Sequence, residues 1–155
     1  MELYNQILHV LEVHGISYKK YSHDPILNYG DAEKEKWRHN WSWVESKNVF
    51  MTDKKWWYYL FVTIQWVRVD FEKLKSLTWN KLSLASEDDV KKYSHCTPWC
   101  VSPLLLNLAI TTFVDTDIFK YDSYLFSPWI PTETIELNPK DLRIIFESQK
   151  NTHFL

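Results

Sequence analysis

Only two glycines, Gly15 and Gly30, serve all 155 residues of this chain. Average usage of roughly 7% would supply about eleven. Glycine is the residue that reaches positive φ without steric cost, so nearly every tight turn here must be made by something else. Tryptophan, by contrast, occurs nine times. A chain so short of glycine has to close its hairpins and helix ends with side chains present.

The remaining composition is that of an ordinary globular protein. Hydrophobic residues make up 45% and charged residues 25%, which argues against disorder. The length suits a single domain, 1–155, with a sizeable core. No apolar run reaches the roughly 18 residues of a membrane helix, and Met1-Glu2-Leu3-Tyr4 lacks a basic secretory start. No membrane association is therefore expected. Cys96 and Cys100 form a C-x₃-C arrangement without a second pair. The histidines (His9, His14, His23, His39, His95, His153) are scattered and form no ligand set. No metal or other cofactor is implied, and the expected address is the reducing cytoplasm. A net charge of −2 excludes a general nucleic-acid coat. Short basic clusters at Lys34, Lys36 and Arg38, at Lys54-Lys55 and at Lys91-Lys92 leave room for a small local footprint.

Periodicity divides the chain into mixed elements. Leu3, Ile7, Leu8, Val10 and Leu11 fall on one helical face, and Gly15 can end that helix. Residues 16–21 alternate like a strand, and His23-Asp24-Pro25 reads as a turn because the residue before proline leaves the helical region. A helix is compatible with 31–38, and strands are expected at 49–51 and 57–64, joined by the glycine-free Asp53-Lys54-Lys55. Asp70 predicts an N-cap for a helix over 71–77, and Ser86 starts another reaching about Tyr93. Strand-like segments follow at 110–114, 124–127 and 132–137. Asn138-Pro139 then opens a last helix with Leu142, Ile145 and Phe146 on one face. The expected fold is α/β, with a curved mixed sheet flanked by helices and no strict βαβ repeat.

Five segments in order carry a resemblance to a known family. They are His14-Gly15-Ile16-Ser17-Tyr18 with His23-Asp24-Pro25; Ser46-Lys47-Asn48-Val49-Phe50-Met51; and Arg68-Val69-Asp70 with Lys81-Leu82-Ser83-Leu84-Ala85-Ser86. The fourth is Thr97-Pro98-Trp99-Cys100-Val101-Ser102-Pro103, and the fifth is Thr132-Glu133-Thr134-Ile135-Glu136-Leu137 with Asp141-Leu142. Together, over 3–147, they resemble the YbaK/ProX aminoacyl-tRNA editing domains. The resemblance implies hydrolysis of the ester joining a wrong amino acid to the tRNA 3′ end. The Lys-Asn pair is similar to that of the ProX-like branch, which points to alanyl-tRNA for proline. The implied partners are the aminoacyl-tRNA acceptor end and prolyl-tRNA synthetase.

Ester hydrolysis builds negative charge on the carbonyl oxygen, so the site needs donors aimed at it and a positioned water. The resemblance makes Lys47 the catalytic residue, through a fixed positive charge. It makes Asn48 a substrate ligand that can bond an amino group or a carbonyl. His23 belongs beside the pocket on this reading, or is a satisfied turn residue. Trp99, Cys100, Val101 and Ser102 supply the pocket loop, whose backbone N–H groups would face the ester; Cys100 is expected to be wall rather than nucleophile. Ser127 stands where the family has a pocket-limiting histidine. Trp99 and Ser127 also suit a catalytically inactive relative that only binds aminoacyl-tRNA or a synthetase. A base-stacking binder of single strands is a third reading, at odds with the acidic net charge.

The tryptophans complete the picture. Trp43, Trp56 or Trp57, Trp66, Trp79, Trp99 and Trp129 stand where the family commonly has glycine or where a turn favours it. A gene that reads UGA as glycine, translated with UGA as tryptophan, would produce this pattern. UGG codons at all six positions would exclude it.

Overall fold

The computed structural model of the chain describes residues 2–41, 44–55, 57–94, 96–107 and 109–155. Helix α1, Glu2–Val13, buries Tyr4, Ile7 and Leu11. Its end is closed by Gly15 at φ +64°, with the Gly15 and Ile16 amides donating to Glu12 and Leu11 carbonyls at 2.9 Å each. Strand β1, Tyr18–Ser22, follows. Helix α2, Tyr29–His39, is capped by the Asn28 side chain, which accepts from the Asp31 amide, and ends on Asn40 in the left-handed region.

Strands β2, Ser46–Thr52, and β3, Tyr58–Ile64, pair antiparallel from Thr52↔Tyr58 to Ser46↔Ile64. Their glycine-free connection is closed by the 93%-buried Asp53. One of its carboxylate oxygens accepts from the Lys55 amide at 2.9 Å and the Trp57 amide at 3.3 Å, while Lys54 takes positive φ. Asp70 caps helix α3, Phe71–Thr78, as its position predicts. Strand β4 is only Ser83–Leu84, and the Ser86 hydroxyl accepts from the Asp89 amide at 3.1 Å to start helix α4, Glu87–Ser94.

A 3₁₀ turn at Pro98–Cys100 leads towards strand β5, Thr111–Val114. Strands β6, Tyr124–Phe126, and β7, Glu133–Leu137, come next. Asn138-Pro139 opens a 3₁₀ turn, Pro139–Leu142, before helix α5, Arg143–Ser148. The last strand, β8, is Thr152–Phe154.

The fold is α/β, as the sequence predicts, with strands divided between two sheets rather than held in one. The first is antiparallel, in the order β1-β7-β6; the second is mixed, in the order β4-β2-β3-β5-β8. Strands β4 and β8 had no sequence counterpart. Both are shorter than the four residues over which alternation becomes readable, and β8 exists only through its parallel pairing with β5, Thr112↔Thr152 to Val114↔Phe154.

Strand β3 separates two apolar cores by its period of two. Leu60, Val62 and Ile64 join the larger core with Ile7, Leu11, Tyr124, Ile135 and Phe146. Tyr59 and Phe61 join a smaller one with Met51, Leu74, Leu82 and Phe113. The sheets are stitched together by Tyr124, whose fully buried hydroxyl donates to the Thr63 carbonyl at 2.8 Å. Burial pushes that phenol well above its ordinary pKa, so it stays a donor throughout the working pH range.

Two of the tryptophans occupy glycine geometry. Trp79 has φ 63° at the end of α3 and Trp129 has φ 69°. Trp57, Trp66 and Trp99 do not share it, and Trp43 and Trp56 lie outside the described residues. Trp79 is 91% exposed, so its side chain gains little burial to offset a backbone state that costs an L-residue about 1 kcal/mol. Trp79→Gly is therefore expected to stabilise the fold by about 1 kcal/mol in urea unfolding. Tyr124→Phe, which strips the Thr63 carbonyl of its donor, should cost about 1–2 kcal/mol in the same assay.

Candidate active site

A cavity of about 500 Å³ lies where the two sheets and α2 converge. Its floor comes from β2, one wall from the 98–101 turn, the other from β6, β7 and the chain between them, and its mouth from α2. The β2 pleat puts neighbouring residues on opposite faces. Asn48 shares a face with the core residue Phe50, so its side chain enters the space beneath the turn. There its amide nitrogen donates to the Ser46 hydroxyl at 2.9 Å and the Val101 carbonyl at 3.0 Å. The amide oxygen of Asn48 is buried and has no hydrogen-bond partner among the described residues. A buried polar atom is ordinarily paired, so this oxygen is an acceptor left unmatched.

Lys47 leaves the opposite face of β2. It lines the cavity, and its ammonium donates to the Val67 carbonyl at 2.8 Å. Lys47 and Asn48 therefore reach the site from either side of one strand, with the lysine anchored at the end of β3.

His23 lines the cavity and is also a satisfied turn residue. Its Nδ1 lies 2.8 Å from the Asp24 carbonyl and its Nε2 2.8 Å from the Thr134 hydroxyl. A carbonyl can only accept, so Nδ1 carries a proton and, in the neutral ring, Nε2 accepts from Thr134. Trp99 stands at the mouth, 42% exposed, edge-on to Tyr29 of α2 with ring centroids 4.8 Å apart.

Val101 lines the wall, whereas Cys100 and Ser102 are fully buried behind it. Cys100 is joined to Cys96 in a disulfide, which no feature of the sequence singled out. The expected row of free amides does not form across the whole loop. The Cys100 amide donates to Thr97 O at 2.9 Å and the Val101 amide to Pro98 O at 3.4 Å, closing the turn. Ser127 lines the cavity too, but its hydroxyl donates to the Ile130 carbonyl at 2.9 Å, within its own loop.

Sequence reasoning passed over several lining residues. Glu45, just before β2, receives the buried Lys36 ammonium at 2.8 Å. Trp41, 93% buried, stacks on His39 and meets His23 edge-on at 5.6 Å. Glu133 and Thr134 complete the far wall. The only residues α2 buries are Glu35 and Lys36. This helix is held over the cavity by ion pairs, a contact that hydrophobic periodicity does not reveal.

The family model for the aminoacyl-tRNA editing domain matches residues 44–145, a span that contains β2, the 98–101 turn and β7. This chain belongs to the aminoacyl-tRNA editing domain family. The editing domain also aligns with the crystal structure of hypothetical protein APE2540 at TM-score 0.77 and 15% identity, over 96% of each chain. A structure described as that of a candidate trans-editing enzyme for prolyl-tRNA synthetase aligns at TM-score 0.73 and 18% identity, over 100% of this chain and 96% of that one. At such identities these likenesses establish the fold. No curated protein matches the sequence. An editing domain of this YbaK-like kind takes aminoacyl-tRNA as its substrate.

Glu45→Gln is expected to destabilise the domain by about 2 kcal/mol, because it replaces the carboxylate that the buried Lys36 ammonium meets at 2.8 Å with a neutral amide. Loss of one partner of a fully buried pair costs more, but Glu45 is a quarter exposed. Urea unfolding of both proteins at equal ionic strength measures the difference.

Proposed function

We propose that the chain is a trans-acting deacylase that hydrolyses the ester of mischarged aminoacyl-tRNA, with alanyl-tRNA for proline as its substrate. The observation that carries this reading is the unpaired, buried oxygen of Asn48 at the cavity floor. An α-ammonium group is a donor with no acceptor capacity, and it complements that oxygen. Held there, the aminoacyl carbon lies between Asn48 and the 98–101 turn, and the ester oxygen faces the side from which Lys47 reaches. Lys47 exchanges its bond to the Val67 carbonyl for one to the developing oxyanion, where a fixed positive charge lowers the barrier most. The nucleophile is a water, and the departing ribose hydroxyl recovers its proton from solvent.

The acidic overall charge fits a footprint confined to the acceptor end. The whole chain, 1–155, acts as one domain in the cytoplasm, beside prolyl-tRNA synthetase. A second reading, an inactive relative that binds charged tRNA, draws on two observations. Trp99 narrows the mouth against Tyr29, and the Lys47 ammonium is already bound to a carbonyl.

Initial rates on alanyl-tRNA for proline separate the two readings. The deacylase reading expects hydrolysis by the chain as written, a kcat/KM about 10²-fold lower in Lys47→Ala, and a higher kcat/KM in Trp99→Gly. Tight binding of charged tRNA with no ester loss in any of the three, with cysteinyl-tRNA spared as well, would establish the binding-only reading instead.

A further inference from the structure

The Cys96–Cys100 pair lies one layer behind the cavity. Cys96 follows the end of α4 and is 7% exposed; Cys100 closes the 3₁₀ turn and is fully buried. Between them Pro98 and Trp99 line the cavity, and Val101, the next residue, presents the carbonyl that holds Asn48 at 3.0 Å. The link thus spans the segment that positions Asn48, whose amide oxygen is an unmatched acceptor among the described residues. It is also approachable from outside. A separate hollow of about 370 Å³ is lined by Lys91, Cys96, Thr97, Cys100 and Pro131, so a small thiol or disulfide can reach the Cys96 sulfur without entering the main cavity.

We propose that Cys96 and Cys100 are a reversible dithiol–disulfide modification site, opened and closed by low-molecular-weight thiols and disulfides through this hollow, and that the disulfide form holds the wall in its binding-competent geometry. In the closing direction the Cys96 thiolate, the more exposed of the two, attacks one sulfur of a disulfide such as oxidised glutathione and expels one glutathione thiolate. Cys100 then attacks the Cys96 sulfur of the mixed disulfide and expels the second. The two cysteine protons end on the two released glutathione thiols, so the protein loses two electrons and the oxidant gains them. Lys91, on the rim of the same hollow, favours the thiolate that begins the exchange. In the dithiol form the turn keeps its backbone bonds but loses the covalent tie to the end of α4. The Val101 carbonyl and the Asn48 amide are then less tightly placed.

The link and the backbone change are independent of the proposed reaction; only the effect on rate rests on it. The full chain is equilibrated with excess oxidised or reduced glutathione, and free thiols are counted by alkylation and intact mass. The expected result is two alkylations per chain in the reduced buffer, none in the oxidised one, and full reversal on exchange of buffers. Amide hydrogen exchange over 97–102 should be slower in the oxidised form. The kcat/KM on alanyl-tRNA for proline should be several-fold higher in the oxidised form, with Cys96→Ser fixed at the reduced rate in both buffers. Two alkylations per chain in oxidised glutathione would overturn the proposal. So would identical exchange over 97–102, or equal rates of measurable hydrolysis, in the two redox states. These comparisons use the unsubstituted chain and do not depend on the variant folding. Redox-dependent exchange with no hydrolysis in either state would uphold the switch and refute the deacylase reading.

Discussion

The structure depends on the burial of β3 on both faces. Strands with one wet face alternate apolar and polar residues, but β3 reads Tyr58-Tyr59-Leu60-Phe61-Val62-Thr63-Ile64 and buries every residue after the first. Such a strand needs a hydrogen-bonded neighbour on each side and an apolar layer above and below. It has β2 antiparallel and β5 parallel as neighbours, the larger core on one face and the smaller on the other. Its buried hydroxyls are matched, Thr63 by the Asp115 carboxylate at 2.7 Å and Tyr59 by the Asp53 carboxylate at 3.4 Å, and the Thr63 carbonyl accepts from Tyr124. Strand β2 inherits its register from β3, and that register sends Asn48 into the cavity and Lys47 to the other side of the strand.

The site is built differently from the core. Around the cavity, polar and charged contacts replace apolar packing: Asn48 to Val101, Lys47 to Val67, Lys36 to Glu45, and His23 to Thr134. These bonds are directional, so they hold side chains in set orientations where apolar contacts would only fill space. Each also restricts what its residue can do. His23 has both nitrogens engaged, Ser127 spends its hydroxyl within its own loop, and two amides of the 98–101 turn close that turn. Among the described lining residues the Asn48 oxygen, one Glu133 carboxylate oxygen and the Trp41 ring nitrogen remain unmatched. The cystine beneath the turn fixes the wall against which the Asn48 oxygen is placed.

Much of the architecture was legible along the chain because it rests on local chemistry. Asp70, Ser86 and Asn138 mark element starts, since each side chain accepts from an amide two or three residues on. Gly15 marks an end through its positive φ. The scarcity of glycine was also informative, because two positions that ask for left-handed backbone, 79 and 129, carry tryptophan instead. The Asp53 turn shows the opposite outcome. There a lysine takes positive φ, and a buried carboxylate collects the loose amides. Strand β8 and the two-residue β4 were illegible, since a strand so short owes its existence to its neighbour.

The sequence by itself determined the α/β class, the order of the main helices and strands, and the segments that carry the editing resemblance, because these are set by side-chain period and by bonds within a few residues. Only the tertiary structure decided the division into two sheets, the opposite faces taken by Lys47 and Asn48, the placing of Glu45 and Trp41 on the cavity, and the meeting of Cys96 with Cys100. Each of these depends on which distant segments share a register or a wall. That choice is made by burying β3 on both sides at once, a condition no local stretch of the chain contains.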